Sequence, residues 1–261
     1  LDDDFMTKVF EDISCAELLL RIILNDEGIR VLEAHSQRGI KNLQGRSVKL
    51  DILAVDSHNR VFNVEVQRSD RGAGAKRARY NSALIDANVT EPGDQYEDLN
   101  ETFVIFITEN DVMKAGLPIY HIDRVVRETG KLFEDEEHII YVNSQIKDET
   151  KLGRLMHDFS CTNAKDMHNK VLADRVRYFK EDERGVAITC REMEIMRNQA
   201  HEEGIEKGIK KGRMLQLIKQ VCAKMQKFSS AEEIANDLVE QDVPLIQKIM
   251  DVAPNFGPDY N

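Results

Sequence analysis

Apolar and polar positions alternate with period two in two neighbouring stretches, residues 47–55 and 61–68. Successive side chains of a strand point to opposite faces. The first stretch therefore sets Val48, Leu50, Ile52 and Ala54 on one face, with Lys49, Asp51, Leu53 and Val55 opposite. The second sets Phe62, Val64 and Val66 against Asn63, Glu65 and Gln67, apolar on one side only. The polar turn 56–60 between them makes a β-hairpin the economical arrangement.

Other periods surround this hairpin. Residues 13–25 are apolar nearly all round, as in a largely buried helix, with Ser14 as candidate N-cap and Gly28 as stop. The stretch from Gly39 to Gly45 is irregular, and 76–87 has a helical pattern. The continuous β-type run 103–108 suits a strand buried on both faces, and 138–142 is a further strand. This order predicts an α/β fold with a mixed central sheet over residues 1–150. After about Thr150 strand signals stop: 151–160, 164–180 and 188–227 are helical in pattern, so 151–261 is expected to be an α-helical C-terminal region. It contains a glycine-repeat helix at about 192–227 and a terminal helical hairpin at 230–252, opened by the capping-box pattern Ser230-Ala231-Glu232-Glu233.

At 261 residues, with 41% hydrophobic and 32% charged positions, the chain is an ordinary globular protein with room for one catalytic-sized domain and a smaller appendage. A formal net charge of −11 argues against a surface coated in positive potential, so any contact with nucleic acid must be local. The four cysteines, Cys15, Cys161, Cys190 and Cys222, form neither a CxxC pair nor a disulfide framework, which fits reduced thiols in a cytoplasm. The start Leu1-Asp2-Asp3-Asp4 is no basic leader, and no stretch reaches the roughly 18 charge-poor residues of a membrane span. A cytoplasmic location without membrane insertion is the expectation.

The hairpin register carries the chemistry. If Val55 and Val61 flank the turn as a pair, Asp51 falls across from Glu65 and Lys49 across from Gln67. Like charges directly opposite are destabilising, and a divalent cation would resolve the conflict. Two carboxylates, a carbonyl and waters suit Mg²⁺ or Mn²⁺, which polarise phosphate oxygens and activate water. The competing reading is a solvated sheet face. Immediately after the hairpin come Arg68, Arg71, Lys76, Arg77 and Arg79, relieved by Asp70, a local basic patch in an acidic chain. It suits phosphate, or else is a solvated helix start.

Four segments in order are similar to one family. Asp3-Asp4-Phe5-Met6-Thr7-Lys8-Val9-Phe10, Leu50-Asp51-Ile52-Leu53 with Asn63-Val64-Glu65-Val66-Gln67, Lys76-Arg77-Ala78-Arg79-Tyr80, and Glu203-Gly204-Ile205-Glu206-Lys207-Gly208-Ile209 resemble the Rpn (recombination-promoting nuclease) and transposase branch of the PD-(D/E)XK nucleases. The resemblance implies a restriction-endonuclease-like core and Mg²⁺-dependent DNA cleavage. It makes Asp51 and Glu65 metal ligands, with the Val66 carbonyl as a further one and Glu17 as a candidate acid from the first helix. Gln67 stands where the superfamily pattern has lysine, and would orient water or a phosphate oxygen. Leu50 replaces the proline of the superfamily's name, and Lys49 is a candidate source of the missing charge. Arg79 and Tyr80 would contact DNA phosphate, Tyr80 having helix–sheet packing as an equal alternative. A catalytically inactive DNA-binding or assembly protein on the same fold is the other reading.

The remaining signals are weaker. Gly204, Gly208 and Gly212 recur every four residues beside Ile205 and Ile209, a face suited to close helix pairing and so to a homodimer, or else to a frayed helix. The hairpin 230–252 lacks a basic recognition face for a helix-turn-helix. His157 and Cys161 share a helix face, but no second pair follows at zinc spacing, and packing is the expected role. No Walker A or dinucleotide-binding glycine pattern is present.

Overall fold

A computed structural model describes residues 3–42, 45–67, 72–90, 93–225, 227–228 and 230–252. The chain divides into two compact units, Leu1–Thr189 and Cys190–Asn261.

In the first unit, helices α1 (Asp3–Val9) and α2 (Ile13–Leu24) precede strands β1 (Val31–Ile40), β2 (Val48–Asp56) and β3 (Val61–Gln67). Helix α3 (Ala75–Val89) leads to β4 (Thr102–Thr108), β5 (Ile119–Ile122), the small ribbon β6 (Val125–Val126) and β7 (Lys131–Leu132), and β8 (Glu137–Asn143). Helices α4 (Lys151–Ser160) and α5 (Lys170–Glu181) close it. The six-stranded sheet has the order β1-β2-β3-β4-β8-β5. Its central strands β3, β4 and β8 are parallel, and the outer pairings are antiparallel. This is the expected mixed α/β sheet, with α3 as the crossover that returns the chain parallel to β3.

Both faces are covered. Ile52, Ala54, Phe62, Val64, Ile105, Ile107, Ile140 and Val142 share one core with α1, α2, α4 and α5. Ala78 of α3 joins Val104, Phe106 and Tyr141 on the other, and Leu84 and Ile85 join Leu50 and Val61. Strand β3 is therefore not apolar on one side and wet on the other: Asn63 and Glu65 are fully buried.

Several expectations are corrected. The N-cap of α2 is Asp12, whose carboxylate accepts from the Ser14 and Cys15 amides, and the helix ends at Asn25 in the left-handed conformation, ahead of Gly28. Residues 31–40, for which no element was predicted, form an edge strand, β1, whose last two residues open the irregular stretch. Residues 164–180 do not form one helix, because buried Asp158 accepts the amides of His168 and Asn169 at 2.7 and 2.8 Å and starts α5 only after them. Helices α4 and α5 also belong to the first unit, where Leu155, Met156, Leu172, Val176 and Phe179 fill the sheet's core, so that unit runs past residue 150.

Helix α6 (Glu183–Lys224) is followed by α7 (Ala231–Leu238) and α8 (Val243–Val252). Ser230 and Glu233 make the expected reciprocal capping box on α7. In the second unit Val221, Ala231, Ile234, Ala235 and Ile246 form a small core. No helix among the described residues is long and apolar enough to cross a membrane.

Candidate active site

The hairpin has the expected pairing from Val55–Val61 to Ile52–Val64, but the expected pairs Asp51–Glu65 and Lys49–Gln67 do not continue the ladder, and Leu50 packs with Leu53 and Val55 on the face opposite Ile52 and Ala54. Beyond Ile52–Val64, side chains replace the ladder. The Asp51 amide donates to Glu65 Oε1 at 3.3 Å, and the Val66 amide donates to Asp51 Oδ2 at 3.0 Å. Each acid thus caps the backbone of the other's strand, which locks both carboxylates at the same level of the sheet.

Helix α3 supplies what lies over Glu65. Arg77 and Asn81 are one helical turn apart and so face the sheet together. Arg77 Nη2 lies 2.5 Å from Glu65 Oε2, and Asn81 Nδ2 donates to Asn63 Oδ1 at 3.1 Å. Asn63 Nδ2 donates in turn to Glu65 Oε1 at 3.0 Å. A buried polar chain therefore runs Asn81, Asn63, Glu65, Arg77, and Asn81 Oδ1 is a buried acceptor without a partner. Burial raises the Glu65 carboxyl above its usual range, against the pull of Asn63, Arg77 and the Asp51 amide.

Gln67, the last residue of β3, reaches the same place. Its carboxamide occupies the space above Gly72, where a Cβ would stand 1.8 Å from Oε1 and 3.3 Å from Arg77 Nη1. Arg77 Nη1 also donates to the Gly72 carbonyl at 3.0 Å. Gly72 leaves room for the Gln67 carboxamide, and its carbonyl ties Arg77 to the backbone.

The C-terminal ends of the parallel strands open on a cleft of about 480 Å³. Val66 and Gln67 line it with Glu109 after β4, Lys147 after β8, and Met156 and Phe159 of α4. In open α/β sheets this end is where ligands bind.

The predicted residues separate into groups. Asp51, Glu65, Val66, Gln67 and Arg77 come together, but Arg77 is engaged by Glu65 instead of standing out as a phosphate contact. Lys49, Lys76 and Arg79 are exposed, and so are Arg38, Lys41 and Arg46, which sequence reasoning passed over because β1 was not recognised. Arg68 and Arg71 lie outside the described residues. The Tyr80 hydroxyl donates to the Arg46 carbonyl and accepts from Asn42 Nδ2, so it ties α3 to the segment before β2. Glu17 is not brought to the site: it pairs with Arg21 and accepts from the Val31 amide, and Val31 pairs with Asp56 at the other end of β2. Asn63 and Asn81 were missed. Asn63 carried a signal, since asparagine is disfavoured inside a strand and stays there only with partners.

The donor set fits a hard divalent cation. Two carboxylates are held by amides of adjacent strands, the buried one also paired with the Arg77 guanidinium. The mixed six-stranded sheet flanked by helices is that of a restriction-endonuclease-like α/β fold. The sequence matches the family described as PD-(D/E)XK nuclease family transposase over residues 17–170, and the chain belongs to that family. No curated protein and no solved structure matches it.

Proposed function

We propose that this chain is a divalent-metal-dependent DNA endonuclease that hydrolyses phosphodiester bonds in a recombination or transposition setting. The observation that carries the reading is the interlock of Asp51 and Glu65, each bonded to the backbone of the other's strand. Asp51, Glu65 and the Val66 carbonyl are the residues that would hold Mg²⁺ or Mn²⁺, which when bound supplies Lewis acidity toward phosphate and a water of lowered pKa. Gln67 orients the attacking water or a phosphate oxygen as a neutral donor and acceptor. Lys49, Lys76 and Arg79 attract and position the DNA backbone, as a locally cationic rim on an acidic chain can.

The test is nicking of supercoiled plasmid by the full chain with Mg²⁺ or Mn²⁺. Asp51→Ala and Glu65→Ala are expected to abolish nicking while the chain stays folded, and full activity in either sinks the assignment. A second reading, a DNA-binding or assembly protein without catalysis, is favoured by the amide at position 67 and by the pairing of Arg77 with Glu65. It predicts a shifted but uncut plasmid in the same assay.

Self-association through α6 goes with the first reading. Ile205 and Ile209 are half exposed, and Gly204, Gly208 and Gly212 have open space over their Cα atoms. Light scattering should show the full chain as a dimer and a chain ending near Arg197 as a monomer; equal association states remove the idea.

A further inference from the structure

The end of α4 gathers a second, chemically different set of ligands. His157, Asp158 and Cys161 each present one donor atom, and these lie within 4.8 Å of one another. His157 Nδ1 is their common neighbour, 3.5 Å from Cys161 Sγ and 3.5 Å from Asp158 Oδ1. Metal–ligand bonds of about 2.0–2.3 Å arranged tetrahedrally put neighbouring ligand atoms about 3.3–3.8 Å apart. The two observed separations fall on that edge length.

Each donor is held there by the fold. Cys161 and His157 are one helical turn apart at the end of α4, so both project from one face. Asp158 is fully buried, and Asn169 occupies its Oδ2 through the backbone amide and the side chain, at 2.8 and 2.7 Å. Oδ1 accepts the His168 amide and faces His157 Nδ1, whose contact with it a bound ion would replace. The His157 side chain is 38% exposed, which gives an ion access from solvent. The exposed His168 ring has its centroid 4.6 Å from that of His157.

We infer that His157, Cys161 and Asp158 form a transition-metal site, of the Zn²⁺ type, at the C-terminal end of α4. A thiolate and an imidazole select a borderline-soft ion, whereas the carboxylate pair of the hairpin selects a hard one, so the two sites take different metals. The site adjoins the cleft, because Phe159 and Ser160, between these ligands, line it.

Cobalt(II) titration of the full-length, reduced protein tests this, since a thiolate ligand gives a charge-transfer band in the near ultraviolet and four-coordinate cobalt gives intense visible bands. One equivalent is expected to produce both in the wild type, in Cys190→Ser and Cys222→Ser, and in Asp51→Ala and Glu65→Ala. Cys161→Ser and His157→Gln should each lose them while retaining the far-ultraviolet dichroism of the wild type. Absence of the bands in the wild type overturns the site, as does their survival in both ligand variants.

Discussion

Arg77 of α3 stands 2.5 Å from the buried carboxylate of Glu65, with Nη1 anchored on the Gly72 carbonyl. The two residues divide the solvent unequally: the Arg77 side chain is 39% exposed and that of Glu65 is 0% exposed. Glu65 has no water to solvate its charge, so the guanidinium and the amide donors carry that task. Arginine is suited to it because its charge is permanent and its fork reaches the carboxylate and the Gly72 carbonyl together.

Arg77→Ala should therefore destabilise the chain by about 1–3 kcal/mol, the usual cost of leaving a buried acceptor short of a partner. A divalent cation should take over the vacated role. Urea denaturation with and without Mg²⁺ or Mn²⁺ would show a larger cation-dependent gain in Arg77→Ala than in the wild type. Equal gains would mean that Arg77 and the cation do not share Glu65.

A second expectation concerns pH. Burial lifts the Glu65 carboxyl above its usual range, so the folded chain holds this proton to higher pH than the unfolded chain does. Folded protein then binds more protons across the interval between the two values, and stability declines as pH rises through it. It is fully regained only below the ordinary carboxylate range. Glu65→Gln cannot titrate, so the wild type should lose stability relative to the variant as pH rises over that interval, at metal-free conditions. Other raised carboxyls, such as Asp86, are common to both chains and cancel in the difference. Parallel stability curves would refute the shift.

The hairpin was legible from Val55–Val61 to Ile52–Val64, because period-two alternation and one turn determine which residues face each other there; the alternation breaks at Asp51, which puts Leu50 on the face opposite Ile52. What surrounds the acids was not legible. Nothing local told that α3 would cover the Glu65 face, so Arg77 was assigned to DNA although helical spacing from Asn81 aims both at β3. Strand β1 escaped for a different reason: as an edge strand it buries little beyond Val31 and Ile40 and carries polar residues between them. Glu17 failed because an acid on a helix is satisfied by whichever cation and amide are nearest, here Arg21 and Val31. Chain pairing across distance decided each of these.

Gly72 offers the sharpest separation of fold from chemistry. Its backbone lies outside the left-handed region, so alanine is conformationally allowed, yet the new Cβ would stand 1.8 Å from Gln67 Oε1 and 2.7 Å from its Cδ. Gln67 is a flexible side chain at the end of β3, and it can yield by rotating its carboxamide away. Gly72→Ala is thus expected to stay within about 1 kcal/mol of wild-type stability, as substitutions relieved by a mobile side chain do. Displacing a positioning group by an ångström or more costs about 10–100-fold in rate, so plasmid nicking should fall by that amount. Gln67→Ala should lose a similar factor, and the double variant should lose no more than either, since both changes remove the same carboxamide from the same place. Full nicking activity in Gly72→Ala would show that the position of Gln67 against Gly72 contributes nothing to catalysis.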